Sequence, residues 1–269
     1  MKVSRSVTRR VNGKMIDNPV SAGRSVLITG AASGLGTHLA LEAATRGYRV
    51  WLVDVNPRVA LLSERLNGQC LVVDLGEALA ARTIYEWAPE VDIVINNAGV
   101  ATRGQFHVLD PSRIEGILAV NVFAPVMLSY AYLKRFVSRG SGVLVNISSS
   151  ACYFPTPGLG PYGPSKSFLT AFTEGLIAEY DQCPGIHVIG ILPSGINTSF
   201  QESSGIRKYP HENLLNPAWL ARSIWNDIEN GRSMLRCYGW TTRIFRILRC
   251  CLPHVAYIRL ISRMLGKFR

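Results

Sequence analysis

The chain has 269 residues and a formal net charge of +11, with 48% of residues apolar and 17% charged, so it can bury a sizeable core and is not a disordered tail protein. No run of 18 or more apolar residues and no apolar h-region after the first basic residues occurs, which argues against an ordinary transmembrane helix and a secretory signal. Cys70, Cys152, Cys183, Cys237, Cys250 and Cys251 lack metal-ligand spacing and read as reduced thiols of a cytoplasmic protein without a metal site.

Residues 1–24 come first, with six Lys/Arg against Asp17 alone: a basic leader, expected to be flexible. Residues 25–239 hold 16 basic and 17 acidic residues, a near-neutral body. The excess charge therefore lies in the two ends, which is not the footprint of a nucleic-acid-binding body.

Within the body, apolar runs alternate with helical patterns. Strands are expected at Ser25–Thr29, Tyr48–Asp54, Gln69–Asp74, Val91–Asn96, Gly142–Ser148 and Ile186–Leu192. Amphipathic helices are expected at Gly34–Arg46, Pro57–Leu66, Pro111–Ser138 and Pro161–Tyr180. Val, Ile and Leu fill the strands without polar alternation, as parallel strands covered on both faces require. The alternation predicts one doubly wound α/β domain with a mostly parallel sheet.

The first strand runs into Thr29-Gly30-Ala31-Ala32-Ser33-Gly34-Leu35-Gly36 and then a helix. Glycines at such a turn let the backbone approach a pyrophosphate, whose charge the helix N-terminus stabilises. An ordinary strand-to-helix turn is the plainer alternative. The second strand ends at Asp54, 18 residues beyond Gly36, where a carboxylate can accept from ribose hydroxyls and repel a 2′-phosphate.

Here the sequence resembles the classical short-chain dehydrogenases/reductases, over about residues 25–200. Thr-Gly-x-x-x-Gly-x-Gly is their glycine motif, which implies cofactor contacts for Gly30, Ser33, Gly34, Leu35 and Gly36. By the same resemblance Asp74 in Val73-Asp74-Leu75 contacts the adenine, and Asn97, Ala98 and Gly99 in Asn96-Asn97-Ala98-Gly99 flank the cofactor. Asn121 falls at the family's helix asparagine, and Tyr162-Gly163-Pro164-Ser165-Lys166 supplies Tyr-x-x-x-Lys. Pro193 and Thr198 match the loop after the sixth strand, where Ser194 stands in place of a usual glycine. The resemblance implies a Rossmann domain, a nicotinamide cofactor, a small alcohol or carbonyl substrate and a homo-dimer or homo-tetramer. Ser33 replaces a residue that is often basic in NADP(H) users, so Ser33 and Asp54 together favour NAD(H), with NADP(H) as the alternative.

Tyr162 and Lys166 lie four apart on a helix and share a face. A lysine ammonium beside a phenol is expected to lower the tyrosine pKa from about 10 toward working pH, giving a general acid/base. Ser149 precedes Tyr162 by the family's interval of 13 residues, while Ser148 and Ser150 point to the opposite strand face. By resemblance Ser149 holds the substrate oxygen, and Asn121 keeps a water that links the lysine to solvent; otherwise Asn121 is a buried asparagine satisfying backbone groups. The expected activity is an NAD(H)-dependent interconversion of a secondary alcohol and a ketone. An NADP(H)-dependent carbonyl reductase and a non-catalytic dinucleotide-binding regulatory protein are the alternatives. Ser199–Asn216 falls where the family builds its substrate lid, and Phe200, Ile206, Tyr209, Leu214 and Leu215 suggest a partly apolar substrate.

The tail, residues 240–269, holds seven Lys/Arg and no carboxylate. Arg243, Arg246 and Arg249 recur at spacing three; after Pro253, Val255, Ile258, Ile261, Leu265 and Phe268 form an apolar stripe with Arg259, Arg263 and Lys267 on another face. This basic amphipathic pattern suits peripheral contact with an anionic membrane surface, or else packing on the domain.

Overall fold

The computed structural model describes residues 9–11, 14–16, 23–200 and 214–266. A hairpin of β1 (Arg9–Val11) and β2 (Lys14–Ile16) comes first; most of the expected flexible leader lies outside the described residues. The uninterrupted apolar runs then become β3 (Ser25–Thr29), β4 (Arg49–Asp54), β5 (Gln69–Val72), β6 (Ile93–Asn96), β7 (Gly142–Ile147), β8 (Ile186–Pro193) and β9 (Met234–Tyr238). All seven pair in parallel, in the order β5-β4-β3-β6-β7-β8-β9.

Helices cover both faces: α1 (Gly34–Thr45), α2 (Val59–Arg65), α3 (Ala80–Trp87), α4 (Pro111–Leu118), α5 (Ala124–Arg139), α6 (Tyr162–Glu179) and α7 (Pro217–Glu229). Strand alternation divides the core. Val26 and Ile28 of β3 join Leu39 and Trp225 on one face, while Leu27 joins Ile84, Leu128 and Phe136 on the other. The Trp225 indole also donates to Leu39 O at 3.0 Å, tying α7 to α1. The strand order reverses between β3 and β6, and such a reversal opens a crevice at the carboxyl ends of the strands.

Several expectations are revised. β5 stops at Val72, so Asp74 lies beyond the strand rather than on it. The expected helix Pro111–Ser138 is α4, a π-helical turn at Ala119–Phe123, and α5. Pro125 has no N–H to give the Asn121 carbonyl, and a wider turn accommodates the loss. Taken together, Pro111–Arg139 is long and apolar enough to cross a membrane by composition, but Leu128, Tyr132 and Phe136 are buried against the sheet. α3, α7 and β9 were not expected.

The tail forms α8 (Trp240–Cys251) and α9 (His254–Gly266), separated at Pro253. It packs on the segment that follows β7: the Phe245 and Phe154 rings lie 4.6 Å apart, Arg249 donates to Cys152 O at 3.0 Å, and the Tyr257 hydroxyl donates to Tyr153 O at 2.8 Å. Of the expected apolar stripe Ile261 is buried, whereas Val255 is 59% exposed. Tyr257 takes the inward position instead, because the polar carbonyl at Tyr153 suits its hydroxyl.

Candidate active site

Gly30 has φ +65° and Gly34 φ +54°, a region in which a side chain is strained. Space is also short: a Cβ on Gly30 would meet Ala98 Cα at 2.8 Å, and one on Gly36 would meet Gly30 O at 2.0 Å. The glycine turn is therefore pressed against the end of β6, with Ser33 exposed as the N-cap of α1. Leu35 is buried in the core cluster that α1 covers.

The turn is fastened by two groups. The Thr29 hydroxyl accepts from the backbone N–H groups of Asn97 and Ala98, each at 3.1 Å. The Asn97 amide donates to Thr29 O at 2.9 Å and Gly30 O at 3.1 Å. Thr29 was not singled out as a site residue; its position at the head of the glycine motif was the available signal. Thr198, from the loop after Pro193 at the end of β8, comes within 3.4 Å of where a Gly34 Cβ would stand. Loops from three strands thus meet around a cradle that only glycine backbone can line.

Asp54, at the end of β4, accepts from Ala32 N and from Asn56 N, each at 2.8 Å, through different oxygens. Each oxygen keeps a lone pair for a ribose hydroxyl. Asp74 is exposed and accepts from Gly76 N at 2.8 Å. A dinucleotide fits this donor and acceptor set.

The catalytic candidates gather at the other side of the crevice. Ser149 follows β7, and Tyr162 and Lys166 lie in the first turns of α6. The Ser149 hydroxyl lies where it favours the ionised form of the Tyr162 phenol and accepts from Ala151 N at 3.2 Å. Ser148 instead bonds Lys166 O at 2.9 Å and the Thr170 hydroxyl at 2.7 Å. The two serines do differ in partners, but β7 ends at Ile147 and Ser150 opens a 3-10 turn, so strand alternation is not the cause. Lys166 is buried and donates to Ile147 O at 3.0 Å. A Cβ on Gly99 would stand 3.2 Å from its Nζ and 3.4 Å from Asn121 Oδ1.

Burial pushes the Lys166 ammonium down to about 8. Burial also pushes the Tyr162 phenol up, with Ser149 as the opposing group. The net direction is opposite to the expected depression, because burial, the largest influence on Tyr162, disfavours the phenolate. Asn121 is buried in the π turn; its Oδ1 accepts from Val100 N and its Nδ2 donates to Val100 O, both at 2.9 Å, and to Ser165 Oγ at 3.1 Å. Its carboxamide is thus engaged by the Val100 backbone and the Ser165 hydroxyl.

Phe200 lies 6.0 Å from the Tyr162 ring. Most of the expected lid, residues 201–213, lies outside the described residues.

Residues 24–208 match the short chain dehydrogenase family. Oxidoreductase UcpA of Escherichia coli (strain K12) is 28% identical over 200 residues, 71% of this chain and 76% of that protein. Very-long-chain 3-oxoacyl-CoA reductase-A of Danio rerio is 28% identical over 239 residues, 82% of this chain and 74% of its own length. Among solved structures, a short-chain dehydrogenase from Sphingobium yanoikuyae in complex with NADPH superposes with a TM-score of 0.74 at 29% identity, over 80% of this chain and 87% of that one.

Proposed function

This chain belongs to the short-chain dehydrogenase family and is an NAD(P)-dependent oxidoreductase, and from that premise we propose that it interconverts a secondary alcohol and a ketone with NAD(H), using Tyr162 as general acid/base. The observation that carries the reading is buried Tyr162 with Lys166 buried one turn further along α6, its ammonium on Ile147 O at the end of the strand that leads to Ser149. When bound, the nicotinamide supplies or accepts the hydride. In reduction the Tyr162 phenol gives its proton to the carbonyl oxygen and is left as phenolate; in oxidation that phenolate takes up the proton of the alcohol hydroxyl. Ser149 donates to the substrate oxygen and holds it beside the phenol. Lys166 supports the tyrosine oxygen during proton transfer and holds the ribose side of the cofactor. Asn121 acts as a positioning residue, fixing Val100 and Ser165 around the lysine.

Asp54 supports NAD(H), since its free lone pairs and charge suit two ribose hydroxyls and oppose a 2′-phosphate. The NADPH carried by the Sphingobium yanoikuyae neighbour favours the second reading, an NADP(H)-dependent carbonyl reductase. Phe200 beside Tyr162, and the very-long-chain substrate in the Danio rerio relative's name, support a partly apolar substrate. Exposed Phe123, Met127, Tyr130 and Val137 near or on α5, and Phe168 on α6, support a homo-oligomer built through these helices. The cysteine pattern supports a reducing, cytoplasmic compartment. Titration with each cofactor, followed by a screen of alcohols and ketones at the nicotinamide absorbance, tests the whole reading. Tighter NADP(H) binding would overturn the cofactor preference, and no turnover of any secondary alcohol or ketone would overturn the reaction.

A further inference from the structure

The tail carries an apolar line that faces away from the fold. In α8 the inward side holds buried Thr242, Phe245 against Phe154, and Arg249 on Cys152 O. Half a turn away, Trp240, Ile244, Ile247 and Cys251 recur at spacings of four, three and four, which aligns them along one side of a helix. All four are exposed, Trp240 by 62% and Ile247 by 60%. Arg243 flanks this line and Arg246 lies beyond it. α9 turns Arg259 and Arg263, four apart, away from its buried Tyr257 and Ile261, with exposed Val255 and Leu260 alongside.

Charge decides what can cover this surface. Residues 240–266 contain five arginines and no carboxylate, and no described Asp or Glu pairs with Arg243, Arg259 or Arg263. A second copy docked by two-fold symmetry would set the same arginine-flanked line against itself, with no acid to separate the guanidinium groups. An anionic bilayer answers both features: headgroup phosphates accept from the guanidinium groups, and the headgroup–acyl boundary takes the indole and isoleucine side chains.

We propose that the outer face of α8, together with the arginines of α9, docks this protein on an anionic lipid bilayer. Its inner face holds Cys152–Phe154, three to five residues after Ser149, so docking also brings the segment that follows Ser149 toward the lipid surface. The docking does not rest on the proposed reaction.

The test is cosedimentation of the full-length protein with vesicles of phosphatidylcholine alone and with about one third phosphatidylglycerol. Binding should require the anionic lipid and fall by more than tenfold in high salt. Each basic residue removed should cost about fivefold, the equivalent of about 1 kcal/mol, so R259E with R263E should weaken binding by more than 20-fold. Ile244→Glu with Ile247→Glu should lower it at least tenfold, while L61E, an exposed change on α2, should leave it unaltered. Both altered tail sites are solvent-facing, and an unchanged melting temperature and circular dichroism spectrum establish that each variant is folded. Absence of vesicle binding, equal binding to the neutral vesicles, or indifference to these variants would overturn the proposal. So would self-association that the double glutamate variant abolishes without any vesicle binding.

Discussion

A Cβ placed on Gly239 would stand 2.2 Å from the Ser194 hydroxyl oxygen. Gly239 has φ +93° and opens α8, while Ser194 follows β8 and donates its N–H to Tyr238 O at 2.8 Å. The serine that replaces a usual family glycine is thus housed by a glycine from the tail junction.

Gly239→Ala should therefore be destabilising through both backbone strain and the contact, by about 1–3 kcal/mol. Adding Ser194→Gly should recover the part due to contact and leave the part due to φ. Urea denaturation of the single and double variants measures the coupling; equal costs in both backgrounds would show that the two residues do not meet.

Tyr162→Phe should leave nicotinamide binding intact and lower turnover by about 100- to 10,000-fold, the usual worth of one acid/base group. Cofactor fluorescence titration and steady-state rates separate the two effects. Turnover near that of the unaltered enzyme would move the proton-transfer role elsewhere.

Lys166 predicts a pH-dependent stability. Its folded pKa of about 8 lies below the ordinary 10.5, so between these values the unfolded chain binds the extra proton. Stability contributed at this site consequently rises as pH climbs from about 8 to about 10.5, and the full burial penalty applies below 8. Lys166→Met lacks the titration. The difference in urea stability between the unaltered enzyme and this variant should shift toward the unaltered enzyme as pH rises through that window, and parallel profiles would contradict it.

Asp54→Ala should weaken NAD(H) by about 10- to 100-fold, as expected for loss of hydrogen bonds to a charged acceptor. It should also relax discrimination against NADP(H), because the charge facing a 2′-phosphate is gone. Ala32 N and Asn56 N lose their acceptor as well, so part of the loss should appear as lower stability of the cofactor-free protein. An unchanged ratio of the two affinities would shift the determinant to Arg49 or Arg58.

The parallel core was legible because Val, Ile and Leu must fill strands covered on both faces. β3 and β7 in particular leave no solvent-facing alternation to read. β9 was not legible: it lies at the sheet edge, and Arg236 interrupts its apolar run. Only the fold supplies Asp227, on which Arg236 closes at 2.8 Å and the Tyr238 hydroxyl at 2.6 Å. The glycine turn was readable from its place between a strand and a helix, and the family resemblance pointed to Ser149, Tyr162 and Lys166 as candidates. The Thr29 and Asn97 fastenings were not, since they depend on β3 and β6 lying side by side. The inward turn of Tyr257 likewise depends on a carbonyl at Tyr153 that no periodicity within the tail contains.

That side-by-side placement has a consequence for the order in which the protein matures. Val26 pairs with Ile93, and the Thr29 hydroxyl waits for the N–H groups of Asn97 and Ala98; Thr198 then closes over Gly34 from much later in the chain. A nascent chain carrying the glycine motif thus lacks a dinucleotide cradle until segments made long afterwards have docked, and loop closure over such separations is slow. Affinity for the nicotinamide should accordingly trail helix formation during refolding, which stopped-flow cofactor fluorescence alongside far-ultraviolet circular dichroism would time.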